Sequence, residues 1–284
     1  MCIRDRGYSE PAAGSDLGNL GCRAVLDGDE WVINGQKVWT TLAHLSDYGV
    51  VIARTNPDAP KHAGISMFIM KMDAPGVEIR PIHQIDGGKH FNEIFLTDMR
   101  IPKDWLLGEL NNGWNQATAM LMYERVAIGT GSTSGVSHPS ADGLIAEAQR
   151  RGVISDPNMR QALMKLYSQE TTKSLVAMRT RAELKAGKTP GPGGSLGKLH
   201  GAVISRMMRS ILGDLFGPDL VANQKGDKAE QWGRTLLTSF SLHIAGGTDE
   251  IQKNVMAENV LGLPREDRID KNVAFKDLPR GGVR

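Results

Sequence analysis

Glu124 is the residue in this sequence with the most chemistry within its reach. In LMYERVAIG it follows a helical pattern whose neighbours three and four positions away are Met120, Leu121, Ala127 and Ile128, so its carboxylate projects from an apolar face. Burial raises a glutamate pKa from about 4.3, and a raised value suits a general base that takes a proton from a weak carbon acid. The competing reading is an ion pair with a neighbouring helix, which perturbs a carboxylate as well. Arg125 comes next in sequence but lies about 100 degrees round the helix, so the two need not pair.

Three further stretches bring polar atoms to element ends. Trp39-Thr40-Thr41 closes the strand pattern VINGQKVW and sets a large aromatic and a hydroxyl beside a loop. Its plainer reading is a core tryptophan followed by a turn-initiating threonine. In AGGTDEIQKN, Gly246-Gly247 breaks one helix and Thr248 caps the next, with Asp249 and Glu250 in its first turn. A helix N-terminus can bind phosphate, but two carboxylates oppose an anion there, and a cap alone accounts for the pattern. Gly7 to Asp16 is turn-rich, punctuated by Pro11, Gly14 and Asp16, and its small residues allow a close approach.

Two apparent motifs fail. GPGGSLGK has Pro192 where a phosphate loop needs its first glycine and Leu199 where it needs Ser or Thr. The 7 histidines are scattered: His90 and Glu93 lack further ligands, and His200 and His243 are single helical residues, so no metal site is expected.

The elements that must carry these residues fall into two halves. From Gly21 to about Ile101 the hydrophobic period is two, in WVINGQKVW, YGVVIART, GISMFIMKM, GVEIRPI and NEIFLTDMRIP, with turn signals between them. This predicts an antiparallel sandwich or barrel, and Asn34-Gly35 reads as its clearest hairpin turn. After Pro102 the period is helical. Asp156-Pro157 starts a helix that Gly187 closes about thirty residues later. Ser195 starts another, with Leu196, Leu199, Val203, Met207, Ile211 and Leu215 as its apolar stripe up to Gly217-Pro218. Helices at Asn112 to Gly129, Leu236 to Ile244 and Asp249 to Leu261 complete an antiparallel bundle, and a polar, extended tail follows Pro264.

Composition bounds the rest. A chain of 284 residues, 40% hydrophobic and with net charge +2, is globular, and no basic stripe interleaved with aromatics points to nucleic acid. Its 2 cysteines build neither a disulfide framework nor a zinc site, which suggests an intracellular, cytoplasmic protein. No apolar run approaches the roughly 20 residues that span a bilayer, so no membrane insertion is expected.

GYSEPAAGSDLGNLGCRA, NGQKVWTT, FNEIFLTDMRIP, YERVAIG and GGTDEIQKNVMAENVLGLPRE resemble, in order and spacing, the acyl-CoA dehydrogenases, and the resemblance runs from Gly7 to Glu266. It raises Trp39 and Thr248 above their plainer readings. It implies an α+β multidomain fold: a middle β domain at 7–108, a four-helix-bundle domain at 109–266 and a tail at 267–284, without the family's N-terminal helical domain. Residues 1–6, MCIRDR, match the translation of a transposon-end sequence used in preparing sequencing libraries, so they are expected to be non-native and the chain to be cut upstream. An independent N-terminus is the alternative.

The resemblance also implies roles. FAD is held in the family between the middle and C-terminal domains and across a subunit interface. Ser9 and Thr41 would bond the flavin, Trp39 would cover its ring, and Gly217, Thr248, Asp249 and Glu250 would lie along its pyrophosphate and adenylate. Ser15, Arg125, Gly246 and Gly247 fall on the substrate side. One of the family's two base positions is Gly246 here and cannot act. The other, used by the isovaleryl-CoA and long-chain types, is Glu124. An Arg-x-x-Phe-Gly stretch that many members use to reach a neighbouring subunit's flavin is replaced by TPGPGGSLGK. The implied activity is α,β-dehydrogenation of an acyl-CoA in fatty-acid β-oxidation, with electrons passed to an electron-transfer flavoprotein by a homotetramer or other homo-oligomer. Alternatives are an acyl-CoA oxidase or other flavin oxidase on the same fold, and a non-catalytic subunit of a heteromeric dehydrogenase.

Overall fold

The computed structural model describes residues 3–129, 140–188, 193–222, 228–268 and 270–278. The chain divides into two compact units, Met1–Met120 with Glu266–Arg284, and Leu121–Arg265.

The first unit is a sheet of β1 (Ile3–Gly7), β2 (Arg23–Asp27), β3 (Glu30–Thr41), β4 (Tyr48–Arg54), β5 (Ile65–Lys71), β6 (Val77–Pro81), β7 (Phe91–Pro102) and β8 (Leu106–Leu107). The strand order is β6-β7-β3-β2-β4-β5-β8, with β1 added alongside β4. Pairing is antiparallel except that β4 runs parallel to β1 and meets β2 in parallel at Arg23 and Arg54. Residues 3–6, expected to be non-native, lie in β1, where pairing uses main-chain groups and is tolerant of side-chain identity. The core gathers Trp31, Ile33, Val51, Phe68, Met70, Ile94 and Met99, with the Trp31 and Phe68 rings 5.2 Å apart.

Asn34-Gly35 is not a hairpin turn. Both residues lie inside β3, and the turn between β2 and β3 falls at Gly28, with φ +63°. Asn34-Gly35 instead marks a slip in register against β7, where Ile33 faces Met99 but Gly35 faces Leu96. The Asn34 amide bonds Asp98 across the slip: Nδ2 donates to Oδ1 at 3.0 Å and Oδ1 accepts from the Asp98 N–H at 2.9 Å. A Cβ at Gly35 would lie 2.7 Å from the Cys22 backbone, so glycine is required there by close approach.

The second unit is helical: α2 (Ala141–Arg150), α3 (Pro157–Lys185), α4 (Gly193–Phe216), α5 (Asp219–Ala222), α6 (Lys228–Ser239) and α7 (Asp249–Asn259), while α1 (Gly113–Gly129) crosses the division after Met120. α3 begins and ends where its sequence predicts. Asp156 accepts from the Met159 N–H at 2.9 Å, and beyond Lys185 the Lys188 and Gly187 N–H groups bond the Glu183 and Leu184 carbonyls in a Schellman turn with Gly187 at φ +79°. α2, capped by Ser140, is an element the sequence reading missed.

The predicted stripe of α4 holds in its C-terminal half, where Ile211 and Leu215 are buried in the helical core and Met207 packs against it. It fails in the N-terminal half, where Leu196 and Val203 are exposed and Ser195, Lys198, Ala202 and Ser205 face inward, with Met208 and Leu212 buried further along. An apolar periodicity marks a face that can be covered, and here α4 has two such faces.

The tail is not an extended free end. Glu266–Arg284 belongs to the β unit, and a 3-10 turn at Phe275–Asp277 buries Phe275 beneath the guanidinium of Arg54, 3.8 Å from the ring centroid.

Candidate active site

In the β unit, two segments are joined by one buried ion pair. Lys37, fully buried on β3, donates to Glu10 Oε1 at 2.8 Å and to the Tyr8 carbonyl at 3.1 Å. Glu10 also accepts from the Gly21 and Cys22 N–H groups at 2.6 and 3.0 Å. The half-buried Ser9 lies between, its carbonyl accepting from the Val38 N–H at 2.9 Å. Burial pushes the neighbouring Cys22 thiol up to about 11, a measure of how dry this layer is. Lys37 was missed by sequence reasoning because a cation in a strand reads as a surface residue until its partner is known, although it shares the inward parity of buried Trp31 and Ile33 on β3.

Trp39-Thr40-Thr41 is a strained strand end. Trp39 has φ +64° at a second irregularity of β3, between Lys37 and Thr40, and Leu42 follows at φ +57°. A left-handed backbone costs a non-glycine residue about 1–2 kcal/mol and persists only where its surroundings enforce it. Enforcement comes from Asn92, fully buried, whose Nδ2 donates to the Thr40 carbonyl at 3.0 Å and whose Oδ1 meets His44 Nδ1 at 3.0 Å. The Trp39 indole is consequently 59% exposed, edge-on to Phe91 at 6.1 Å, which rules out a core tryptophan. Thr41 is exposed on the same side, while Thr40 points inward and its buried Oγ1 has no partner among the described residues. An outward indole and hydroxyl on a strained backbone fit the face and edge of a flat aromatic cofactor such as a flavin.

In the loop after Glu10, Gly14, Ser15 and Asp16 are exposed. Asp16 Oδ1 and Oδ2 accept from Lys61 Nζ at 3.0 and 3.1 Å.

In the helical unit, Gly246 and Gly247 take φ +66° and +86°, and a Cβ at Gly247 would come within 2.5 Å of Gln252 Nε2. That amide donates to the Gly246 carbonyl at 2.6 Å and holds the turn. Thr248 caps α7 by accepting from the Ile251 N–H at 3.2 Å. Asp249 turns inward, 6% exposed, and binds Lys198 Nζ at 2.8 Å and His243 Nδ1 at 2.7 Å. Burial alone would raise its pKa, but the hydrogen bonds from His243 and Lys198 bring it below the usual value. Glu250 is exposed. Gly217, at φ +48°, ends α4, and among the described residues no atom comes within 4 Å of a hypothetical Cβ. Glu124 lies half-buried on α1 beside half-buried Met120 and Leu121, and the side chains of Arg125, Ala127 and Ile128 lie outside the described residues.

The structure therefore brings Ser9 and Trp39–Thr41 onto one anchored framework, and engages Asp249 internally. Three comparisons with known proteins bear on these segments. The family model for the acyl-CoA dehydrogenase middle domain matches residues 6–99, and that for the acyl-CoA dehydrogenase C-terminal domain matches residues 111–261. The chain is 41% identical over 265 residues to acyl-CoA dehydrogenase IpdE1 of Mycobacterium tuberculosis, covering 92% of this chain and 67% of that protein. It is similar to the solved structure of the Tcur3481-Tcur3483 steroid ACAD with a TM-score of 0.79 and 28% identity, covering 92% of this chain and 68% of that one. For the ChsE4-ChsE5 complex of M. tuberculosis the values are 0.75 and 29%, covering 92% and 69%. With both domain models matched in chain order, this chain belongs to the acyl-CoA dehydrogenase family, of which it carries the middle and C-terminal domains.

Proposed function

We propose that this protein catalyses α,β-dehydrogenation of an acyl-CoA thioester with FAD. The observation that carries the assignment of the base is Gly246: at φ +66° and without a side chain, it leaves Glu124 as the one carboxylate at the family's two base positions. Glu124 takes the α proton onto a carboxylate oxygen as the α,β double bond forms. Hydrogen bonds to the thioester oxygen acidify that α carbon. FAD, when bound, supplies the redox chemistry by accepting the β hydrogen with its electron pair. Ser9 and Thr41 would hydrogen-bond it and Trp39 would cover one face, while Thr248, Glu250 and the turn at Gly217 would approach its phosphate and adenylate end. Asp249 ties the start of α7 to α4 and to His243 from within. Ser15, Arg125 and the Gly246-Gly247 turn contact the substrate, and an electron-transfer flavoprotein takes the electrons.

The relatives described as a steroid ACAD and as a ChsE4-ChsE5 complex favour a steroid-derived acyl group and a heteromeric assembly over a fatty acyl chain and a homotetramer. The exposed Met164, Tyr167, Leu175 and Met178 along α3, with Leu196 and Val203 on α4, suit contact with a homologous subunit. The test is Glu124→Gln in the full-length, flavin-loaded enzyme with its partner subunit. FAD content should be unchanged, and anaerobic bleaching by acyl-CoA should slow by about 10²–10⁴-fold. Bleaching at the unaltered rate would remove Glu124 from the chemistry. A panel of linear and steroid-derived thioesters then fixes the substrate class.

A further inference from the structure

The loop that carries Ser15 is anchored at two places. On one side Glu10 binds the Gly21 and Cys22 N–H groups. On the other, two cations grip it. Arg54, at the end of β4 and buried, donates from Nη2 to the Gly18 and Leu20 carbonyls at 2.6 and 3.3 Å and from Nη1 to the Lys61 carbonyl. Lys61 Nζ binds the Asp16 carboxylate, next in sequence to Ser15.

Both cations are held in turn by the C-terminal segment. The Phe275 ring lies under the Arg54 guanidinium carbon, 3.8 Å from ring centroid to Cζ, and Asp270 pairs with Lys61 Nζ, which also binds Asp16. The segment is fixed by its own backbone, with the Phe275 N–H bonding the Ala59 carbonyl at 2.9 Å and the Lys276 N–H bonding that of Pro57 at 3.0 Å. Arg54 and Phe275 are both buried, beside the main apolar cluster of the sheet.

We propose that Asp270–Leu278 is a latch that positions the Gly14–Leu20 loop for the substrate thioester, Asp270 acting through Lys61 and Phe275 through Arg54. The inference rests on the reading that Ser15 contacts substrate. A buried guanidinium with a ring on one face and carbonyls on its edge has few alternative arrangements. Removing the ring lets water reach Arg54 and loosens its hold on Gly18 and Leu20. Neutralising Asp270 leaves Lys61 with Asp16 alone, and the loop end is then drawn by a single pair.

The test uses the full-length, flavin-loaded enzyme with Phe275→Ala, Asp270→Asn and the conservative Phe275→Tyr. Two readouts are taken. Hydrogen exchange follows the Asn19 and Leu20 amides, which bond the Asp16 and Leu17 carbonyls at 3.0 and 3.2 Å. Steady-state kinetics follows KM against kcat. The expected result is faster exchange at Asn19 and Leu20 in Phe275→Ala and Asp270→Asn, a KM for acyl-CoA raised roughly tenfold with kcat and FAD content nearly unchanged, and recovery of both in Phe275→Tyr. Unchanged exchange overturns the latch, and faster exchange with an unchanged KM overturns its role in substrate positioning. If the unaltered enzyme bleaches with no acyl-CoA, the dehydrogenase reading fails while the exchange data still decide whether the segment latches the loop.

Discussion

Each unit contains a buried lysine–carboxylate pair of the same length, and the two pairs serve their surroundings differently. Lys37 meets Glu10 at 2.8 Å in the β unit, and Lys198 meets Asp249 at 2.8 Å in the helical unit. In the first, the pair lies behind the candidate cofactor segment, leaving the Trp39 and Thr41 side chains facing outward. In the second, one member is itself a residue that the sequence assigns to the cofactor. A polar residue in the right motif is available to a ligand only when its hydrogen-bonding capacity is not already used by the protein, and Asp249 uses its carboxylate to tie α7 to α4.

The pairs also differ in what is left behind when one member is removed, which is the most direct way to break the comparison. Asp249→Asn leaves Lys198 buried without its countercharge, and the expected loss is about 3–5 kcal/mol, read as a lower urea midpoint. Lys37→Met should cost less, about 2–3 kcal/mol, because Glu10 keeps the Gly21 and Cys22 N–H groups. Its sharper signature should be weaker flavin binding, since Ser9 and Val38 lose their common anchor. Equal losses from the two variants would mean that the main-chain donors on Glu10 contribute nothing.

Acid separates the units next. Glu147, buried on α2 and bonded by Arg150 and Arg151, has its pKa lowered to about 2, chiefly by the Arg150 hydrogen bond against the opposing effect of burial. A carboxyl with a depressed folded-state pKa stabilises the fold above its ordinary pKa and loses that contribution as pH falls towards the folded-state value. The helical unit should therefore lose about 2–3 kcal/mol between roughly pH 4.5 and 2, and Glu147→Gln should flatten that part of the pH profile. The smallest effect is expected at Trp39. Trp39→Gly relieves its left-handed backbone, so stability should hold or rise by about 1 kcal/mol while flavin affinity falls. A loss of stability would return Trp39 to a packing role.

Much of the fold could be read from neighbours in the chain. Asp156, Pro157 and Gly187 mark the ends of α3 because a cap and a Schellman turn act over a few residues. The helical pattern around Glu124 and the break and cap at Gly246-Gly247-Thr248 were legible for the same reason, whereas local pattern read Trp39 as a core residue and only the family resemblance raised it as a site candidate. Lys37 and Arg54 were not, since a cation in a strand reads as a surface residue until its partner is known.

The sequence by itself determined the order of elements, the change of period from two to helical after Pro102, and the motifs in which the candidate site residues lie. Only the tertiary structure decided that Asn34-Gly35 is a slip in a strand, that α4 buries Lys198 and exposes Leu196, that Asp249 faces inward, and that the segment around Phe275 returns to the β unit. The physical reason is the same in each case. Caps, turns and hydrophobic periods are settled by residues within about four positions of one another, whereas these four outcomes depend on close approach to Cys22, on helix faces that pack, on a lysine in another helix and on an arginine more than two hundred residues away in the chain.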